Sequence, residues 1–358
     1  MYRTLIINPG STSTRLAVFE DEAERYGATL AHAKEALDAL GHVLAELPLR
    51  RQAVLDALAA AGLRDVAYDA VVGRGGMLRP VPSGTYAINA LMLADAADMH
   101  SREHAANLGA IVADELARRY GVAAYVVDPV SVDEFEPLSR VAGLPGIERR
   151  SLSHALNLKA TARRAAAALG RPYERTNLVV AHMGGGISVS AHRQGRMVDV
   201  NQALDGTGPF SPERAGGLPV GDVMRMAFLG QYSYAEMFAL VTRHGGLLAH
   251  LGTNDAQEVE RRIAAGDAHA RLIYEAMAFQ VAKEIGLMAT VLFGRVDAIA
   301  LTGGLAHSRL LTGWIRERTE WIAPLFLFPG ENEMLCLAQG ALRVLRGEEE
   351  ARDYAPIA

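Results

Sequence analysis

Apolar and polar positions fall into short blocks over the first twenty residues. Thr4–Asn8 is apolar and partly β-branched, Pro9–Thr14 is a polar loop with glycine and hydroxyls, and Arg15–Glu20 is apolar again. Two such runs around turn chemistry predict a β-hairpin. A helical period follows over 31–47 and 52–61. Ala70-Val71-Val72 predicts a strand opening into Gly73-Arg74-Gly75-Gly76, and helix is predicted over 102–120, with a strand over 123–127 that ends at Asp128-Pro129. Leu144-Pro145-Gly146 marks a break, and helix is predicted from Ser153 to Leu169. The opening pattern then returns as an apolar strand over 178–181, a glycine loop over 182–186 and an alternating strand over 187–192, followed by a turn at Gln194-Gly195 and a strand over 197–200. Two copies of one strand–loop–strand device about 175 residues apart suit two related domains, not a short-period solenoid. Beyond the Gly- and Pro-dense 205–217 the pattern is helical, except for a strand over 296–301 leading through 302–304 into a helix over 307–320. A last strand over 325–328 leads into a helix over 332–346, and the charged tail 347–358 is predicted to lie in solvent.

At 358 residues the chain exceeds one ordinary core, and roughly 100–200 residues per domain gives two. A net charge of −5 argues against nucleic acid as the main partner, since phosphate backbones require a basic face. The one cysteine, Cys336, excludes a disulfide framework and a Cys-rich zinc site and fits a reducing cytoplasm. The opening reaches polar residues after two isoleucines, too soon for a signal peptide, and no apolar run approaches the ~20 residues of a membrane span. The lysines, Lys34, Lys159 and Lys283, stand apart from any Gly-x-x-x-x-Gly frame, so a Walker loop is absent. Any phosphate chemistry here must therefore rest on arginine and backbone N–H groups.

Three glycine-rich loops follow apolar strands and are the candidates for that chemistry. The first holds Asn8, Gly10, Ser11, Thr12 and Ser13; the second His182, Gly184, Gly185 and Gly186; the third Thr302, Gly303 and Gly304. Glycine lets backbone N–H groups approach an anion, and hydroxyls add donors. Neither Gly184-Gly185-Gly186 nor Gly206–Gly208 gives Gly-x-Gly-x-x-Gly between strand and helix, which sets a dinucleotide fold aside. Two loops on hairpins and a third between strand and helix resemble the order in actin, hexokinase and Hsp70-type ATPases. That resemblance implies an α/β fold of two facing actin-like (ribonuclease H-like) ATPase domains with a nucleotide cleft between them. The domains expected are 1–152, completed by a C-terminal helix over 333–358, and 153–332.

Asn8-Pro9-Gly10-Ser11-Thr12-Ser13-Thr14-Arg15 resembles the N-terminal signature of butyrate kinases, the branch of the acetate kinase family that acts on longer carboxylic acids. The likeness continues through Val72–Gly76, Val127-Asp128-Pro129, Arg149–Asn157, Ala181–Gly186, Asp205-Gly206, Gly208–Arg214, Leu301–Gly304 and Pro329–Glu333. It implies transfer of phosphate from ATP to a short-chain fatty acid such as butyrate or isobutyrate, with Mg2+. Acetate, propionate or a non-catalytic actin-like ATP switch are the other readings. Residue by residue, it implies that Asn8 contacts phosphate and metal and that Arg74 binds the carboxylate and the moving phosphoryl group. Asp128 would orient Arg74, and His154, four residues after Arg150, would stabilise the phosphoryl group. His182 would precede the second phosphate loop, Arg214 would be the second catalytic arginine, and Glu333, with Glu331 as rival, would position Mg2+. The phosphates would lie on the first two loops and adenosine on the third. A short-chain carboxylic acid and ATP are thus the expected partners, in a cytoplasmic homo-oligomer, at least a dimer, with no membrane attachment. Each residue also has a plainer reading: His154 and His182 as structural histidines, Asp128 as a turn former, Glu333 as a carboxylate favoured by a helix N-terminus, and the two arginines as solvated loop residues.

Overall fold

Residues 3–31 form three successive strands, β1 (Arg3–Pro9), β2 (Ser13–Glu20) and β3 (Ala23–Ala31), each antiparallel to the one before. The computed structural model describes residues 1–98 and 104–355. The expected hairpin is therefore a three-stranded meander. The third strand lies in a stretch given no element from sequence, although Tyr26, Ala28 and Leu30 alternate with polar neighbours and turn inward. The helix expected over 31–47 is instead a short helix, Lys34–Asp38, and a 3-10 turn, Val43–Glu46. Gly41, at φ +78°, breaks the period between them. The regular helix runs from Leu47 to Ala60, with proline at its start, where a missing N–H costs nothing.

Parallel to β1 lie β4 (Ala70–Gly73) and then β6 (Ala123–Val127), and β5 (Thr85–Ala87) pairs antiparallel beyond them. Residues 102 and 103 of the helix expected over 102–120 lie outside the described residues, and the helix found is Asn107–Tyr120. Side chains alternate across a strand, so Leu5, Ile7, Leu16, Val18 and Val71 share one face, packed against Val54, Leu58, Val112 and Leu116 of helices Leu47–Ala60 and Asn107–Tyr120. On the other face lies the helix Glu333–Leu345, where Gly340 leaves room for Val127.

The charged tail was expected in solvent, but it is built in. Arg352–Asp353 pairs parallel with β5 at the sheet edge, and Tyr354, 2% exposed, donates its hydroxyl to Asp95 at 2.6 Å and accepts the Arg79 N–H at 3.1 Å. One buried aromatic with two polar partners outweighs the solvation of the charges around it. Residues 356–358, the end of the C-terminal helix expected over 333–358, lie outside the described residues.

The chain divides into two units, residues 1–132 with 332–358, and residues 133–331. Residues 133–152, placed in the first domain by the sequence reading, belong to the second unit. Bonds such as Arg149 to Asp199 at 2.7 Å hold them there. The second unit repeats the design: β7 (Asn177–Met183), β8 (Ile187–Arg193) and β9 (Arg196–Val200) form an antiparallel meander, and β10 (Ala298–Gly303) and β11 (Leu325–Pro329) extend it in parallel. The order β11-β10-β7-β8-β9 mirrors β6-β4-β1-β2-β3 of the first sheet. One face packs Val179, Ala181, Val189 and Leu301 against helices Ala268–Val291 and Arg309–Thr319; helix Ala155–Ala168 covers the other.

Candidate active site

In the first unit, the ends of β1 and β4 bring two of the expected residues together with a third from far along the chain. Asn8 donates its Nδ2 to the Glu333 carboxylate at 2.9 Å. Arg74 directly follows β4, where its backbone N–H continues the ladder to the Ile7 carbonyl at 2.9 Å. Its side chain, only 8% exposed, lies 3.5 Å from Glu333, while its buried Nη1 has no hydrogen-bond partner among the described residues. The plain reading of Arg74 as a surface side chain fails on that burial. Glu333 is the glutamate bonded to Asn8; Glu331 lies 3.3 Å from His182 in the second unit.

Asp128 sits at φ +38°, and its carboxylate accepts the Ser83 hydroxyl at 2.6 Å and the Gly84 N–H at 2.9 Å. The Glu333 carboxylate lies within ion-pair distance of Arg74. Gly76 is glycine for packing, since a Cβ there would strike the Asn107 amide oxygen and stand 2.5 Å from its backbone nitrogen. In the loop Gly10–Ser13, Ser11 and Thr12 are exposed, and the Gly10 N–H closes a turn on the Ser13 carbonyl at 2.7 Å.

In the second unit the hairpin between β7 and β8 is the hub. Its tip closes with the Gly184 N–H on the Gly186 carbonyl at 3.0 Å. His182 and Ser188 face each other across the hairpin, and Ser188 lies 2.8 Å from the Nδ1 of His154, at the start of helix Ala155–Ala168. The two imidazoles stack with centroids 4.2 Å apart. His182 is buried, with its Nδ1 unpartnered. Arg214 lies along the same tip, and a Cβ on Gly186 would run into its guanidinium. One of its nitrogens donates to the Ala203 carbonyl at 2.6 Å, and its buried Nε has no partner. Burial pushes the Arg214 pKa down from its ordinary value, as expected for a charge with too few partners. Ser211 ties this arginine to the tip, accepting the Arg214 N–H at 3.1 Å and donating to the Gly185 carbonyl at 2.5 Å.

The third loop divides. Thr302 and Gly303 are buried, and Gly303, at φ +90°, passes too close to the Met183 backbone to carry a side chain. Gly304 is exposed with open space around it. Ser188 and Ser211 were given no site role in the sequence reading, although Ser211 stands in the block Gly208–Arg214. The one signal for Ser188 was a polar residue inside an apolar alternating strand.

Chemically, each unit presents a buried guanidinium with a donor to spare, and the second adds a stacked histidine pair. Such sets bind anions and stabilise developing negative charge. Among the described residues no group of three or more His, Cys, Asp and Glu is placed to hold a metal. No helix among them is long and apolar enough to cross a membrane.

A family model described as "Acetokinase family" matches residues 146–312. The chain is similar to Butyrate kinase 1 of Clostridium acetobutylicum, at 49% identity over 99% of this chain and 100% of that protein. Butyrate kinase 2 of the same organism is 48% identical over 99% of each. Among solved structures, Porphyromonas gingivalis acetate kinase superposes with a TM-score of 0.79 at 19% identity, covering 96% of this chain and 100% of that one. That likeness is one of fold, and it bears out the two-domain α/β ATPase architecture.

Proposed function

Since this chain belongs to the acetokinase family, we infer that it is a kinase that transfers the γ-phosphoryl group of ATP to the carboxylate of a short-chain fatty acid, butyrate or isobutyrate, reversibly forming an acyl phosphate and ADP. The observation that carries the reading is the likeness to a butyrate kinase along nearly the whole chain.

The site's chemistry suits the reaction. A carboxylic acid with a pKa near that of glutamate, about 4.3, is already ionised at neutral pH, so no general base is required. Phosphoryl transfer then depends on positioning and charge, and the planar fork of arginine grips carboxylate and phosphate oxygens alike. In this reading the open Nη1 of Arg74 takes the carboxylate, and Arg214 and His154 donate to the phosphoryl oxygens. The loops Gly10–Ser13 and His182–Gly186 hold the phosphates, and Thr302-Gly303-Gly304 meets adenosine. Within the third loop, the exposure of Gly304 supports that role best. With Nδ2 of Asn8 bonded to Glu333, the pair offers one amide oxygen and one carboxylate, a set that suits Mg2+, which keeps several waters and takes substrate phosphates as further ligands. Asn8 and Glu333 would hold it, and its charge would neutralise the ATP phosphates. We place the enzyme in the cytoplasm, where ATP and free acid meet.

The chain-length preference tests the reading. Acetate kinases carry a longer segment between the arginine and the Gly-Gly pair than Arg74-Gly75-Gly76-Met77-Leu78. Leu78 packs into the core with Val81 and Tyr86, which leaves half-buried Met77 as the apolar side chain of that stretch nearest the carboxylate site. Two extra methylenes at about 0.8 kcal/mol each favour butyrate over acetate by roughly 1.6 kcal/mol, on the order of fifteenfold in kcat/KM. Trapping the acyl phosphate with hydroxylamine, across acids of two to five carbons, measures it. Acetate matching or exceeding butyrate would transfer the chain to an acetate or propionate kinase reading.

A further inference from the structure

Behind the first loop lies an arginine that the reaction does not touch. Arg50, in helix Leu47–Ala60, is fully buried, and every N–H of its guanidinium has a partner. Nε and Nη2 meet Glu46 at 2.7 Å, and Glu46 is itself buried. Nη1 donates to the Ser13 carbonyl at 2.9 Å and the Thr14 hydroxyl at 3.1 Å, and Nη2 donates to the Ser11 carbonyl at 3.0 Å. Between these, the Thr12 carbonyl accepts the His32 N–H at 2.8 Å, and the His32 ring lies 2.9 Å from the Thr14 hydroxyl. Three consecutive carbonyls, of Ser11, Thr12 and Ser13, are therefore each held by a donor, two of them by Arg50.

A buried ion pair is weak support for stability, because desolvation offsets most of its attraction and apolar residues of the same volume serve as well. Its effect on the loop is more specific. A trans peptide is planar, so a carbonyl held to one side turns the next residue's N–H to the other. The Thr12 N–H is thereby turned to the side away from Arg50 and the Ser13 N–H to the side away from His32, on a loop whose Ser11 and Thr12 are exposed. Successive N–H groups with hydroxyls beside them form an anion cradle.

We propose that Arg50 is a positioning residue for nucleotide binding, its Glu46-anchored guanidinium fixing the carbonyls of Ser11 and Ser13 so that the loop amides stand ready for the phosphates of ATP. The proposal rests on the reading that this loop holds those phosphates. Arg50→Lys keeps the charge and loses the fork, and Arg50→Met loses both. In the full chain, the KM for ATP is expected to rise at least tenfold in each, with the KM for butyrate within twofold of wild type and a cooperative melt retained. A structural role alone would lower the melting temperature and the active fraction without separating the two KM values. An ATP KM within twofold of wild type in a folded Arg50→Lys protein overturns the proposal. If both variants fail to fold, Glu46→Gln decides: it keeps a hydrogen-bond acceptor and removes the anchoring charge, so a two- to fivefold rise in the ATP KM supports the proposal, and no rise overturns it. Hydrogen exchange on wild type separates this from the underlying reading. ATP must slow exchange in a peptide spanning residues 9–15, and its failure to do so sinks the loop assignment itself.

Discussion

Arg74 and Arg214 each bury a guanidinium nitrogen that bonds to nothing among the described residues. A buried donor left without a partner costs about 1–3 kcal/mol, and more when charged, a penalty a fold keeps where a ligand supplies the missing acceptor. Loss of one preorganised donor of this kind costs ~2.7–4 kcal/mol of transition-state stabilisation, so Arg74→Ala and Arg214→Ala are each expected to lower kcat at least about a hundredfold. Because the penalty disappears with the side chain, the melting temperature should barely move. Turnover near wild type in either variant would remove that residue from the mechanism. At this scale the sequence was readable where a residue sits in a glycine loop, as both arginines do. It was silent on Arg50, which stands next to Arg51 in a helical pattern. Only the tertiary pairing with Ser11 and Ser13, nearly forty positions earlier, separates a loop anchor from a plain helix arginine.

The glycine-rich loops look alike in sequence and differ in what each glycine is for. Gly185, at the exposed tip of its hairpin, would place a Cβ 3.6 Å from the Glu213 carboxylate and near little else. Gly185→Val should therefore fold as wild type does and bind ATP more weakly, because its side chain fills the space a phosphate needs. Unchanged affinity by calorimetry in the folded variant would overturn the placement of the phosphates. Gly76 is the opposite case. Its Cβ would strike Asn107, so Gly76→Ala should cost about 1–3 kcal/mol from overpacking, a fall of about 3–10 °C in melting temperature. The strands flanking these loops were legible because short apolar runs bounded by glycine have few alternatives. The strand Ala23–Ala31 was not, because it is exposed along much of its length and its glycine and charges mute the alternation. The strand at Arg352–Asp353 is two residues long, and only its pairing with β5 defines it.

Across the whole molecule, the repeated strand–loop–strand device proved to be the start of one five-strand order found in both sheets, the first of which adds two further strands. That duplication was visible at long range even where individual boundaries were not. Assembly is a separate matter. The helix Val220–Phe228 buries none of its residues, and Val220, Met224 and Phe228 stand 71%, 54% and 87% exposed. Exposed apolar side chains at helical spacing favour the homo-oligomer reading, at least a dimer. Light scattering should then give wild type at least twice the 38.4 kDa of one chain, with Phe228→Asp falling to a single chain. Wild type at 38.4 kDa would overturn it. The bond from Asn8 to Glu333 has one more consequence, for the order of events at the ribosome. Residues 133–331 are continuous and leave the exit tunnel as a set, whereas the unit begun by residue 1 lacks Glu333 and the strand at Arg352 until the last stretch is made. At roughly 5–20 residues per second the opening meander waits at least ten seconds or so for its partners. The half of the enzyme synthesised first is therefore finished last, and Arg74 stays without its Glu333 counter-charge through most of translation.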